Sequence, residues 1–240
     1  MDRYEKSSFL YNDDIGRVDY VSHMGSDLTV VNSARVSFGV ERHSVNERDR
    51  KLIRYLIEHK HTSTLEHCVV TFKFTVPLFV RSQHHRHRTW SYNEISRRYT
   101  EKDIEFYLPR EFRTQHKTNR QASNENELRD PVIIPDLHDT GYGVTASSLL
   151  RDSTTKSVNL FNMLLKSGVC REQARMILPQ NLYTEYYGTV NLNNLLKFID
   201  LRTHKGAQWE IQKVAEACQE IAADLWPITV ASYKELRSVV

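Results

Sequence analysis

Residues 70–76 read Val-Thr-Phe-Lys-Phe-Thr-Val. Val70, Phe72, Phe74 and Val76 alternate with Thr71, Lys73 and Thr75, the period of two that gives a strand one apolar and one polar face. Pro77 stands next, where a helix can begin, because proline's fixed φ suits the first helical position and its missing N–H is not needed there. Leu78–His87 can continue that helix. Upstream, Asn46 is a good N-cap with Glu47 and Asp49 in the first turn, and Leu52, Ile53 and Leu56 form the apolar stripe of a helix ending near Lys60. A half-buried strand set between helices places the chain in the α+β class.

The same reading extends outward. Arg17–Met24 predicts a strand and Asp27–Val36 a helix. Leu149–Lys166 has a helical pattern with Gly168 as its stop, and Arg171–Leu178 predicts a shorter helix. Leu182–Val190, rich in Tyr, Thr and Val, predicts a strand. Asn191 caps a helix with stripe Leu192, Leu195, Leu196 and Ile199, ending at Arg202. Ala207, Ile211, Val214, Cys218, Ile221 and Leu225 mark the last long helix and place Cys218 in its core. The polar stretch 113–130 predicts a mobile excursion within one domain over residues 1–240. The fold expected is α+β, with a central, mostly antiparallel sheet flanked by helices.

Residues 81–99, Arg-Ser-Gln-His-His-Arg-His-Arg-Thr-Trp-Ser-Tyr-Asn-Glu-Ile-Ser-Arg-Arg-Tyr, follow directly on the strand. Five arginines, three histidines and three aromatics face one carboxylate, Glu94. A solvated helix face would interleave opposite charges, and this run does not. Guanidinium forks bind phosphate, while Trp90, Tyr92 and Tyr99 offer flat surfaces for a ring. A phosphorylated aromatic ligand, a nucleotide, fits that chemistry.

Composition narrows the field. Net charge is +3 over 240 residues, so the positive charge of 81–98 is local, as a small anion requires. Only eight glycines occur and no Gly-rich phosphate loop, so side chains must hold any phosphate. No apolar run approaches the roughly 20 residues needed to cross a bilayer. Cys68, Cys170 and Cys218 are odd in number, far apart and in no metal-like pair, and read as reduced thiols of a cytoplasmic protein. No metal is expected at His61, His67, His84, His85 and His87, since arginine neighbours repel a cation; His67 reads as a structural histidine. A single-strand nucleic-acid surface is the competing reading of 81–99. Ser91 lacks a Ser-His-acid arrangement to activate it and reads as a binding residue.

Arg86-His87-Arg88-Thr89-Trp90-Ser91 resembles the Arg-His-Arg-x-x-Ser motif of the flavin-dependent thymidylate synthases. The similarity extends through Tyr92–Tyr99 and to Ser33-Ala34-Arg35-Val36-Ser37-Phe38 and His61–His67. It returns in Ala174–Pro179, Asn181–Thr184 and Leu201-Arg202 through Ala207–Ile211, in the family's order. The resemblance implies conversion of dUMP to dTMP, with methylenetetrahydrofolate as carbon donor, NADPH as reductant and FAD as cofactor. It also implies a homotetramer with active sites shared between subunits, and neither nucleic acid nor membrane as a partner.

Carried over by position, Ser37, Ser63, Arg86, His87, Arg88, Thr89, Asn93, Glu94 and Asn191 would contact FAD. Gln83, Ser96, Arg98 and Arg175 would hold dUMP, the two arginines on its phosphate. Arg202 would bind and act on the uracil ring, and His61 would lie beside the flavin as a second catalytic residue. Ser63 stands where the family often has Thr and Cys170 where it often has Pro. Asn193, Lys197 and Gly206 replace Arg, Asn and His of some members. A nucleic-acid-binding protein and a non-catalytic flavoprotein remain the alternatives.

Overall fold

The computed structural model describes residues 5–100, 104–134 and 143–237. Nine strands and eight α-helices occur among them. In chain order these are β1 (Ser7–Phe9), β2 (Arg17–Met24), α1 (Asp27–Arg35), α2 (Glu47–Glu58), β3 (Val69–Pro77), α3 (Leu78–His84), β4 (Ser91–Glu94) and β5 (Phe112–Gln115). Then follow β6 (Ser123–Arg129), β7 (Val132–Ile133), β8 (Val144–Thr145), α4 (Ala146–Lys166), α5 (Arg171–Ala174), β9 (Tyr183–Asn191), α6 (Leu192–Arg202), α7 (Trp209–Leu225) and α8 (Pro227–Arg237). The class is α+β. A mostly antiparallel five-stranded sheet runs in the order β1-β2-β3-β9-β4. No described helix is long and apolar enough to cross a membrane.

The described chain divides into two compact units: Met1–Thr75, Gln83–Asn93 and Glu185–Val240 in the first, Val76–Ser82 and Glu94–Thr184 in the second. In the first unit, β2 pairs antiparallel with β3, Val18 opposite Phe74 and Tyr20 opposite Phe72. Phe72 and Phe74 are fully buried, as the alternation demands. Gly188 of β9 lies so close to Phe74 and Trp90 that an added Cβ would meet their rings at 2.8 and 3.2 Å. A side chain there would lift Trp90 off the sheet.

Trp90 is therefore a core residue, 6% exposed, packed against His84, Phe74 and Phe198. That corrects its expected role as a ligand platform; of the three aromatics in the run, Tyr99 is the one widely exposed. The helix expected over Leu78–His87 stops at His84. The Tyr92 hydroxyl reaches back to the carbonyls of His84 and His87, at 3.0 and 3.2 Å, and satisfies the chain end there.

Both asparagine caps form. Asn46 accepts from Arg48 N and Asp49 N, and Asn191 from Asn194 N at 2.9 Å. Asp49 is fully buried and receives two bonds from Arg35 at 3.0 and 2.6 Å. Burial alone would raise its pKa, but the Asn46 amide and the Arg35 guanidinium outweigh that and hold it below the usual carboxylate range. Helix α8 has no counterpart in the sequence reading. Its first turn is held by buried Asp27, which accepts from Ile228 N, Thr229 N and the Thr229 hydroxyl at 3.0, 2.9 and 2.6 Å.

The second unit has its own core of Phe161, Ala174, Leu178 and Leu182. Here the polar stretch 113–130 proves to be ordered pairing rather than an excursion: β5 and β6 form an antiparallel hairpin. Polar side chains hold it, Thr114 donating to Glu127 at 2.7 Å and Arg113 to Ser123 at 3.0 Å, so no apolar alternation marks it in the sequence. Gly168, at φ +85°, ends α4 in the left-handed region as expected. His67 is exposed, which corrects its reading as a structural histidine.

Candidate active site

Within the first unit, three residues expected at the substrate or flavin come together. Arg202, the last residue of α6, donates from Nε to His87 Nε2 at 3.0 Å and from Nη2 to the Gln83 carbonyl at 3.3 Å. Burial, and secondarily the nearby guanidinium, push the His87 pKa down to about 4. His87 is therefore neutral near pH 7 and accepts from Arg202 without neutralising it. No carboxylate pairs with Arg202 among the described residues, so its positive charge is uncompensated. Beneath, fully buried His84 shares a hydrogen bond with the Tyr186 hydroxyl at 2.8 Å.

Arg86, Arg88 and Thr89 follow on the turn and are exposed. Neither arginine has an acidic partner among the described residues, which leaves two guanidinium forks and a hydroxyl open to an anion. Asn93, on β4, is exposed as well. Ser37 and Ser63 lie on short 3₁₀ turns, Val36–Phe38 and Thr62–Leu65, both exposed, and His61 precedes the second turn. Tyr55 stacks on His59 and His61 with ring centroids 4.1 and 6.0 Å apart. Asn191 spends its side chain on the α6 cap. No hydrogen bond or ion pair joins Ser37, Ser63, His61 or Asn191 to Arg86, His87 or Arg88 among the described residues.

Within the second unit, a cavity of about 570 Å³ is lined by residues that include Glu94, Ser96 and Arg175, three of those expected at the ligands. Arg81, Arg97, Glu172, Gln180 and Thr184 also line it and were not assigned from the sequence. Arg81 and Arg97 stand in the quoted run and Thr184 in the stretch Asn181–Thr184 that carries the resemblance, so their signal was present; Gln180, just before that stretch, had none. Glu94 accepts from Thr184 at 2.7 Å and pairs with Arg81 at 3.2 Å. Arg97 reaches the Tyr183 carbonyl at 3.4 Å. Arg175, on the 3₁₀ turn Arg175–Ile177, is exposed and has no hydrogen-bond or ion-pair partner among the described residues. Arg98 does not line the cavity; its Nε lies 3.6 Å from Glu172 Oε1 and its guanidinium lies over the Tyr99 ring.

Three of the departures from the family pattern have local explanations. Cys170 caps α5 at φ −63°, the value proline would impose. Asn193 is buried and ties α6 to Glu66 at 2.9 Å. Gly206 leaves room for the His204 ring, which an added Cβ would meet at 3.2 Å.

Among the described residues, Arg86 and Arg88 on the turn and Arg175 at the cavity lack an acidic partner, an arrangement suited to an anionic ligand held by side chains. Residues 19–228 match the family described as thymidylate synthase complementing protein. A flavin-dependent thymidylate synthase of Thermus thermophilus is 43% identical over 222 residues, 92% of this chain and 77% of that protein. One of Kosmotoga olearia is 38% identical over 218 residues, 91% of this chain and 90% of that protein. Among solved structures, the UMP/dUMP methylase PolB of Streptomyces cacaoi, bound with 5-Br UMP, superposes with a TM-score of 0.72 at 32% identity, covering 91% of this chain and 93% of that one. The same enzyme with 5-Br dUMP gives 0.70 at 31% identity over 91% of this chain and 94% of that one. The chain belongs to the flavin-dependent thymidylate synthase family of enzymes.

Proposed function

We propose that the protein methylates dUMP to dTMP, with methylenetetrahydrofolate as carbon donor, NADPH as reductant and FAD as bound cofactor. The observation that carries this reading is the uncompensated guanidinium of Arg202, held by a neutral imidazole and a backbone carbonyl. Methyl transfer to uracil requires carbon 5 to become nucleophilic while charge develops on the ring oxygens and nitrogen. A fixed positive charge beside the ring stabilises that charge without reorganising during the reaction. His87 and the Gln83 carbonyl position it. Gln83, Ser96, Arg98 and Arg175 hold the nucleotide, with Arg175 and Arg98 on the phosphate.

Arg86 and Arg88 suit a pyrophosphate, being exposed, without an acidic partner among the described residues, and close in sequence to the Thr89 hydroxyl. They would hold FAD with His87, Asn93, Glu94, Ser37, Ser63 and Asn191. Bound flavin supplies the hydride that completes the methyl group. His61 guards the approach of folate and NADPH. The chain works as one domain over residues 1–240 in a cytoplasmic homotetramer with shared active sites. Nucleic acid is not among the proposed partners: a net charge of +3 over 240 residues gives little attraction for a long phosphate backbone.

The reading is tested by the absorbance spectrum of the purified protein, then by NADPH oxidation with and without dUMP. A colourless protein with no dUMP-dependent turnover would end it. Arg88→Ala should lose most of its flavin and keep the circular dichroism of the parent protein. Full flavin retention in that variant counts against the assignment of the motif.

A flavin-borne hydride also makes a protein thiolate unnecessary. Burial and, secondarily, Asp27 push the Cys68 thiol up to about 12, and burial likewise raises that of Cys218, so neither is a nucleophile near neutrality. Cys170 is the exposed one. Cys170→Ala should form dTMP at the parent rate. Lost turnover there, with FAD and dUMP still bound, would demand a different mechanism.

A further inference from the structure

Gln208 occupies the N-cap of α7, a position that favours Ser, Thr, Asp or Asn, and its side chain makes no capping bond. It is used elsewhere. Gln208 Nε2 donates to Glu210 Oε2 at 2.8 Å, while Gln208 Oε1 accepts from Gln83 Nε2. Glu210 is 4% exposed, and its main-chain carbonyl is bonded by the Tyr11 hydroxyl at 3.1 Å. The side chains form a chain in which every donor and acceptor has a forced sense. A carboxylate offers only acceptors, so Gln208 must turn its NH₂ to Glu210 and its carbonyl oxygen to Gln83. Gln83 must then turn its own NH₂ to Gln208. The Gln83 carbonyl oxygen is left pointing away from the relay, with no partner among the described residues. Gln83 also carries the backbone carbonyl that receives Arg202, so this oxygen belongs to the residue on which Arg202 rests.

We infer that Gln208, anchored by Glu210, is a positioning residue that fixes the polarity of the Gln83 amide, so that Gln83 selects a pyrimidine carrying an N3–H. Uracil offers a donor at N3 and cytosine an acceptor. An amide locked with its oxygen toward the ring accepts from uracil and opposes the N3 lone pair of cytosine. A freely flipping amide would serve either base equally. Without the carboxylate at the far end, both glutamines can reverse, and the discrimination disappears while the contact remains. This selectivity rests on the proposed binding of dUMP by Gln83.

The test compares binding of dUMP and dCMP to the flavin-loaded enzyme by calorimetry, in the parent protein, Glu210→Gln, Gln208→Leu, Gln83→Leu and the Gln83→Leu/Gln208→Leu double variant. The parent should prefer dUMP. In Gln208→Leu that preference should shrink by about tenfold, the worth of one hydrogen bond of about 1.4 kcal/mol. Flavin content should not change. In the Gln83→Leu background, Gln208→Leu should have no further effect, because Gln208 acts only through Gln83. Glu210→Gln should reproduce the loss; because Glu210 is buried, Gln208→Leu decides if that variant does not fold. An unchanged dUMP preference in folded Gln208→Leu overturns the inference, as does an equal loss in the presence and absence of Gln83. A parent holoenzyme that binds neither nucleotide instead overturns the substrate reading beneath it.

Discussion

Arg202→Ala should slow dTMP formation by about 10²- to 10³-fold, the range seen when one preorganised donor to a developing charge is removed. Flavin content should fall far less than in Arg88→Ala, because among the expected flavin residues Arg202 bonds His87 alone and leaves Arg86, Arg88 and Thr89 untouched. Arg202→Lys should recover little: a lysine keeps the charge but cannot span His87 Nε2 and the Gln83 carbonyl with a planar fork. Single-turnover formation of dTMP at saturating dUMP measures the chemical step. Parent-like turnover in Arg202→Ala would remove the electrostatic role. The variant also carries a pH signature. His87 is held near 4 first by burial and second by Arg202, so removing Arg202 should raise that value part of the way towards 6.5, visible in an NMR titration of the ring. The sign for stability follows from the depressed value. The unfolded chain binds this proton more tightly, so the folded protein loses stability as pH falls from about 6.5 through about 4. His87→Gln should flatten that part of the denaturation profile.

Much of the first unit was readable because its sequence signals are local. The alternation at 70–76 needs a buried face and a polar face, and the sheet provides both. Asn46 and Asn191 bond backbone amides two and three residues away, so their caps do not depend on tertiary structure. What escaped reading depends on distant partners. The β5–β6 hairpin is held by polar cross-strand pairs, which leave no apolar period. Helix α8 is anchored by Asp27, some two hundred residues earlier in the chain. Trp90 carries no mark distinguishing a ring offered to a ligand from one packed on a sheet; Gly188, on a strand far along the chain, decides that.

The candidate site divides in the same way. The charge excess of 81–99 pointed to an anionic ligand, and its resemblance to a known motif suggested roles within the run. The pairing of those charges could not be read. Arg81 and Glu94, both of the second unit, lie thirteen positions apart, a spacing that no helix or strand period brings together. Arg98 is engaged by Glu172, from a helix that sequence spacing could not relate to it. The neutrality of His87 follows from burial, which the sequence did not signal.

That pattern of pairing gives Arg175→Ala its expected effect. Of the guanidinium groups on the second-unit cavity, Arg81 is matched by Glu94 and Arg97 is bonded to a backbone carbonyl, whereas Arg175 has no partner among the described residues. A guanidinium without a partner among the described residues, on the cavity that Ser96 also lines, is the group with capacity left for a phosphate. Removing a charge-assisted contact of this kind costs roughly 1.5–3 kcal/mol. The Michaelis constant for dUMP should therefore rise roughly ten- to a hundredfold, while the maximal rate changes little, because the phosphate is remote from the reacting carbon. Deoxyuridine, which lacks the phosphate, separates this role from general damage to the fold. Its weak binding should be the same in the parent and in Arg175→Ala. An equal loss of affinity for dUMP and deoxyuridine would place Arg175 away from the phosphate. The other arginines of the cavity wall, Arg81 and Arg97, should then be replaced in turn.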